Sequence, residues 1–137
     1  NFLLTMLRLG RERKELKIVD DQFGAPTSAR LIAEATACAI AKNFSGGRLD
    51  VDAFREAGGL YHLTAAGCTT WYGFAQSILS GRPGMAKVLP IPTAGYPTPA
   101  QRPRNSILDN GKLETQFGFR LPDWQVGMRL CLEEVGH

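Results

Sequence analysis

The residue types best suited to chemistry sit in one stretch, "YPTPAQRPRNSIL" (Tyr96 to Leu108), where three prolines surround Arg102, Arg104 and Asn105. With Pro90 and Pro92 upstream, five of the chain's eight prolines fall between positions 90 and 103. Proline fixes φ and biases the residue before it toward an extended backbone. Tyr96 to Arg104 is therefore expected to be an extended, pre-stiffened strip with few backbone donors. Such a strip loses little conformational entropy when it binds. The Arg102 guanidinium is a planar fork of donors matched to phosphate oxygens, and Asn105 offers both a donor and an acceptor. Together they suit a ligand with a pyrophosphate beside hydroxyls or base edges. The same composition also describes a surface loop that prolines merely hold rigid, with Arg102 tied to a carboxylate of the fold. Composition leaves both readings open.

The bulk numbers bound what surrounds that strip. A chain of 137 residues, 44% hydrophobic and 21% charged, suits one compact domain that buries roughly two thirds of its unfolded surface. No apolar run approaches the ~20 residues of a membrane span, and no signal peptide is legible. The chain opens at Asn1 inside a helix-like pattern, so it is expected to be a fragment. Net charge is +3. The basic cluster Arg8, Arg11, Arg13, Lys14 and Lys17 is interrupted by Glu12 and Glu15 and has no interleaved aromatics. It reads as the solvated end of a helix rather than a nucleic-acid surface. Cys38, Cys68 and Cys131 are scattered and odd in number, which suggests neither a zinc site nor a disulfide frame and fits a reducing cytoplasm. Nothing in the sequence marks Cys68 as activated for a pairing with His62.

The elements that must position the strip follow from periodicity. Phe2, Leu3, Met6 and Leu7 repeat at helical spacing up to Gly10. "LKIV" is a strand, and "DDQFGAPTS" a loop in which Thr27 or Ser28 caps the next helix. That helix carries an apolar stripe of Leu31, Ile32, Ala35, Cys38, Ala39 and Ile40. "NFSGGRLD" reads as a loop, followed by a helical turn through Phe54 capped by Asp50 or Asp52. "GGLYHLTAAG" reads as a buried strand. Thr69 and Thr70 cap a helix with Trp71, Phe74, Ala75, Ile78 and Leu79 inward, and "KVLPI" is a strand. Asp109 or Asn110 opens a helix stopped by Gly118. Pro122 is placed in the first turn of a last helix whose inner face is Trp124, Met128, Cys131 and Val135. The expected class is α/β, with short strands and about five or six helices. The stripes at 2–9 and 28–40 exceed what so small a sheet can cover, and their exposure would allow self-association into a homo-oligomer.

"YPTPAQRPRNSIL" resembles the C-terminal signature of dTDP-4-dehydrorhamnose reductases, within the extended short-chain dehydrogenase/reductase superfamily. "NFLLTMLRLGRERKELKIVDDQFGAPT", "GLYHLTAAGCTTWYGFAQSI" and "LPDWQVGMRLCLEE" resemble further segments of that family in the same order. The resemblance covers essentially the whole chain. It implies that residues 1–137 are the C-terminal substrate-binding part of an NAD(P)-binding Rossmann-type reductase. That family reduces dTDP-4-dehydro-L-rhamnose to dTDP-L-rhamnose with NADPH or NADH, for cell-surface polysaccharide. The partners it implies are a dTDP-sugar and the missing N-terminal dinucleotide-binding domain, with no role for nucleic acid or membrane. A non-catalytic regulatory subunit of the same superfamily, or a reductase or epimerase of another nucleotide sugar, are the competing readings.

No glycine-rich strand-to-helix turn of the dinucleotide kind occurs here. The family's catalytic Tyr-x-x-x-Lys is also absent, because Tyr61, Tyr72 and Tyr96 are followed four residues on by Ala65, Gln76 and Ala100. No catalytic and no cofactor-binding residue is therefore assigned. By position in the motif, the resemblance implies that Arg102 grips the diphosphate, with Asn105 and Tyr96 shaping the same pocket. Gln22, Gly24 and Thr27 fall where related enzymes contact the nucleotide, and Asn1 near the diphosphate. His62 is read as a strand or core histidine, and Trp71 and Trp124 as helix-packing residues. Some family members bind Mg²⁺ through carboxylates. Glu134 falls near one such position, but the other is Arg30, which argues against a metal site.

Overall fold

The computed structural model describes residues 1–136. In chain order they form α1 (Phe2–Glu12), β1 (Glu15–Val19), β2 (Phe23–Gly24), α2 (Ala29–Ala41), β3 (Phe44–Ser45), β4 (Arg48–Leu49) and α3 (Val51–Glu56). There follow β5 (Thr69–Thr70), α4 (Trp71–Leu79), β6 (Lys87–Ile91), a 3₁₀ turn (Thr93–Gly95), α5 (Gly111–Phe117) and α6 (Trp124–Glu134). Helices and short strands alternate, as an α/β chain should. The chain divides into two compact units, one made of residues 1–26 and 68–107, the other of 27–67 and 108 onward.

In the first unit β1 pairs in parallel with β6, in register from Glu15↔Lys87 to Val19↔Ile91. Parallel partners need a crossover, and α4 is the helix that leads into β6. It packs against α1 and against both strands. Leu3, Met6 and Leu7 of α1, Leu16 of β1, and Phe74, Ala75, Ile78 and Leu79 of α4 are all buried. The stripe on α1 is thus covered inside its own unit, against expectation, because α4 supplies a second apolar face and Phe2 stacks on Phe74 with ring centroids 5.5 Å apart. Asn1 caps α1, its side chain accepting from the Leu4 N–H at 3.0 Å. Thr70 caps α4 in the same way through the Gly73 N–H.

The second unit departs further from the sequence reading. "NFSGGRLD" is a β-hairpin, with Phe44↔Leu49 and Ser45↔Arg48 paired. Gly46 and Gly47 both have positive φ, as a two-residue hairpin turn of the primed type requires. The stretch expected as a buried strand, 58–67, has no ladder beyond a single bridge, Ala66↔Asp123. Side chains satisfy its backbone instead. The Asn110 amide accepts from the Thr64 N–H at 3.1 Å and donates to the Thr64 carbonyl at 2.9 Å. Thr27 Oγ1 accepts from the Ala65 N–H at 3.0 Å. With its amide committed there, Asn110 stands at the N-cap of α5 without capping it, and Asp109 accepts from the Gly111 N–H instead. Ala57, Leu113 and Phe117 form a core cluster with Tyr61, Leu63 and Phe119 packed against it.

The face of one further helix differs from the sequence expectation. α6 starts one residue after its cap Asp123, so Pro122 precedes the helix. Its buried positions are Trp124, Gly127 and Leu132, with Val135 exposed. The face is turned because a Cβ at Gly127 would lie 3.2 Å from the Leu31 side chain, so close contact is made at the glycine. On α2 only Ala35 is buried, and Ile32 and Ile40 stay exposed as the sequence suggests.

Candidate functional site

The turn after β1 organises one end of the first unit. Asp20 continues the strand pairing through its N–H to the Ile91 carbonyl, and its carboxylate accepts from Thr70 Oγ1 at 2.5 Å. Asp21 Oδ1 accepts from both the N–H and the hydroxyl of Thr93, at 2.9 and 2.5 Å. Gln22 Nε2 donates to the same Thr93 hydroxyl at 3.0 Å. Phe23 then binds the far end of the proline strip: its N–H donates to the Arg104 carbonyl at 2.8 Å, and its own carbonyl accepts from the Ser106 N–H at 2.9 Å. Phe23 pairs on its other side with Thr70 of β5.

These contacts frame an open cleft of about 320 Å³. The turn 22–26 forms one wall, Thr69, Thr70 and Trp71 a second, and Arg102, Pro103 and Ser106 a third. Between Tyr96 and Arg104 the strip belongs to no helix or strand and lies exposed. Arg102 makes no hydrogen bond and no ion pair among the described residues, so no carboxylate of the fold holds it. The hydrogen bonds from the Thr93 hydroxyl and N–H, with the charge of Arg104, hold the Asp21 carboxyl below its ordinary range.

Of the residues singled out from sequence, Gln22, Gly24 and Arg102 come together at this cleft. Gln22 reaches it with its amide nitrogen already engaged by Thr93. Asn105 lies next to it, bridged to Phe23 through the backbone, while its side chain accepts from the Ile107 N–H. Tyr96 is exposed at the end of the 3₁₀ turn and does not line the cleft. Asn1 is occupied as a helix cap. Thr27 belongs to the second unit, where it holds Ala65. Sequence reasoning missed Phe23, Trp71 and Ser106. Trp71 packs on Phe2 at 4.8 Å between centroids, yet it is 42% exposed and faces the cleft. Its place as first residue of a Thr-capped helix was the available signal. Trp124 is buried.

Arg30 bears on the fit of a divalent cation. Its Nη1 donates to Glu134 at 2.6 Å and its Nε to Glu34 at 2.9 Å, so one guanidinium bridges both carboxylates and its pKa is raised by them. Of the two positions the resemblance implies for Mg²⁺, one is this guanidinium and the other, Glu134, is its ion-pair partner, a donor set that does not suit a divalent cation. Nor is there a glycine-rich strand-to-helix turn that would cradle a dinucleotide.

A family model described as the RmlD substrate binding domain matches residues 1–137, the entire chain. The chain belongs to this family. Members with close similarity include a dTDP-4-dehydrorhamnose reductase of Burkholderia thailandensis, 48% identical over 98% of the chain and 47% of the relative. Among solved structures, a dTDP-4-dehydrorhamnose reductase ortholog of Clostridium acetobutylicum superposes with a TM-score of 0.85 at 31% identity, over 100% of this chain and 44% of that one. That of Bacillus anthracis, solved in complex with NADP, gives 0.80 at 29% identity, over 98% and 43%. The RmlD-type chain described here therefore spans less than half the length of the relatives it matches. None of its described helices is long and apolar enough to cross a membrane.

Proposed function

We propose that this chain is the substrate-binding part of a dTDP-4-dehydrorhamnose reductase, and that the cleft beside the proline strip receives the diphosphate of a dTDP-sugar. The observation that carries this reading is Arg102, a permanently charged fork with no internal partner, at the edge of a cleft in an RmlD-type domain. Unpaired guanidinium groups on a stiffened strip favour a planar, multiply charged anion. Gly24 lets the Ser106 hydroxyl approach closely, since a Cβ there would lie 3.0 Å from it, and Gln22 keeps its amide oxygen for the nucleotide. Asn105 stands beside this contact through its bridge to Phe23, whereas Tyr96, Thr27 and Asn1 do not line the cleft and are given no part in it.

The reaction draws on a nicotinamide cofactor, which supplies hydride to the 4-keto carbon when bound. This chain has neither its cradle nor a Tyr-x-x-x-Lys pair, so in this reading both come from another part of the protein. The residues here hold and orient the substrate, and Mg²⁺ plays no part because Arg30 replaces it. The test is NADPH oxidation in the presence of dTDP-4-dehydro-L-rhamnose. The full-length protein that carries this chain should turn over, while the isolated 137 residues should not. Turnover by the isolated chain would contradict the division of labour. A full-length protein that binds dTDP without turnover would be a regulatory subunit instead.

A further inference from the structure

The strip that carries Arg102 has no ladder hydrogen bonds between Tyr96 and Arg104, so its prolines and its two anchors set its course. Both anchors are made by three consecutive residues. Asp21 and Gln22 hold Thr93 at the strip's start, with three hydrogen bonds that converge on one threonine. Phe23 holds Arg104 and Ser106 at its end through the backbone. The far anchor is chiefly a main-chain pairing, to which the Ser106 hydroxyl adds one bond to the Phe23 carbonyl. The near anchor depends on side chains: the Thr93 hydroxyl donates to Asp21 and accepts from Gln22, which a residue without a hydroxyl cannot do. A stiff segment clamped at both ends transmits a displacement at one end to its whole length, whereas a flexible one would absorb it.

We propose that Asp21 and Thr93 are positioning residues for substrate binding: their clip sets where the proline strip leaves β6 and hence where Arg102 meets the diphosphate. This rests on the cleft being the dTDP site. Neither residue lines the cleft. Their effect on affinity must therefore pass through Arg102, and this separates positioning from a general contribution to folding.

The experiment is a double-mutant cycle read by calorimetric titration of the full-length protein with dTDP. Thr93→Val should weaken binding about tenfold, the scale of one well-placed hydrogen bond. Thr93→Ser, which keeps the hydroxyl, should restore affinity to within about twofold of the original. In an Arg102→Ala background Thr93→Val should have no further effect, because coupled residues are non-additive. Unchanged affinity in Thr93→Val, a loss that adds fully to that of Arg102→Ala, or failure of the serine to rescue would each overturn the inference. Should Thr93→Val not fold, Asp21→Ala, which removes the acceptor of two of the three bonds, serves in its place: several-fold weaker binding supports the clip and unchanged binding refutes it. If the unmodified protein does not bind dTDP, the assignment of the site falls as well. If it binds, and Arg102→Ala alone weakens it, only the clip is refuted.

Discussion

Replacing Arg102 by alanine separates binding from stability, since the structure gives this residue no work inside the fold. It has no ion pair or hydrogen bond among the described residues and its strip is exposed. Truncating it leaves no buried group unsatisfied, and unfolding free energy should change by less than about 0.5 kcal/mol. Binding is another matter. A hydrogen bond to a charged group contributes about 1.5–3 kcal/mol, which at 1.4 kcal/mol per decade is a loss of about 10- to 150-fold in affinity. No internal carboxylate competes for the guanidinium, so the full effect should reach the ligand. The assay is calorimetric titration of the full-length protein with dTDP, paired with denaturant unfolding of the same samples. Arg102→Lys keeps the charge and loses the fork, and should fall between alanine and arginine. Unchanged affinity in Arg102→Ala would refute the assignment. An equal loss of stability and affinity would show a structural arginine instead.

Other outcomes follow from local features. The Asp21 carboxyl is held below its ordinary 3.8 mainly by the Thr93 hydroxyl, so its contribution is complete above about pH 4 and is lost as pH falls through the lowered folded value. Below pH 4 the unfolding midpoint of Asp21→Asn should fall less steeply with acidity than that of the original, and parallel curves would contradict the clip. The Arg30 bridge to Glu34 and Glu134 is solvent-exposed, so Arg30→Ala should lower the melting temperature only slightly, with the difference gone at about 1 M salt. Adding Mg²⁺ should leave the melting temperature of the original protein unchanged, and a marked rise would show that the metal displaces Arg30. Gly118 ends α5 with φ +65°, and Gly118→Ala should cost about 1–2 kcal/mol of unfolding free energy in a denaturant titration.

Much of the local structure was decided by the sequence alone. Apolar spacing and Ser/Thr/Asp/Asn capping positions place α1, α4 and α5 because these signals act within a few residues. "KVLPI" coincides with β6 for the same reason. Gly118 stops a helix wherever one arrives at it. Arg102 was legible as a cation on a proline-stiffened strip, since proline acts on its own backbone whatever surrounds it. Tertiary structure decided the rest. Residues 58–67 have the composition of a strand but find side-chain partners, Asn110 and Thr27, where a neighbouring strand would be needed. The inner face of α6 depends on where a glycine allows contact with Leu31, and no periodicity records that. The clip of Asp21 to Thr93 joins residues 72 positions apart, and that Arg102 has no partner among the described residues depends on where the fold puts their carboxylates. Hydrogen bonds between distant side chains leave no trace in local spacing, and here they determine whether a charged residue belongs to the fold or is left for a ligand.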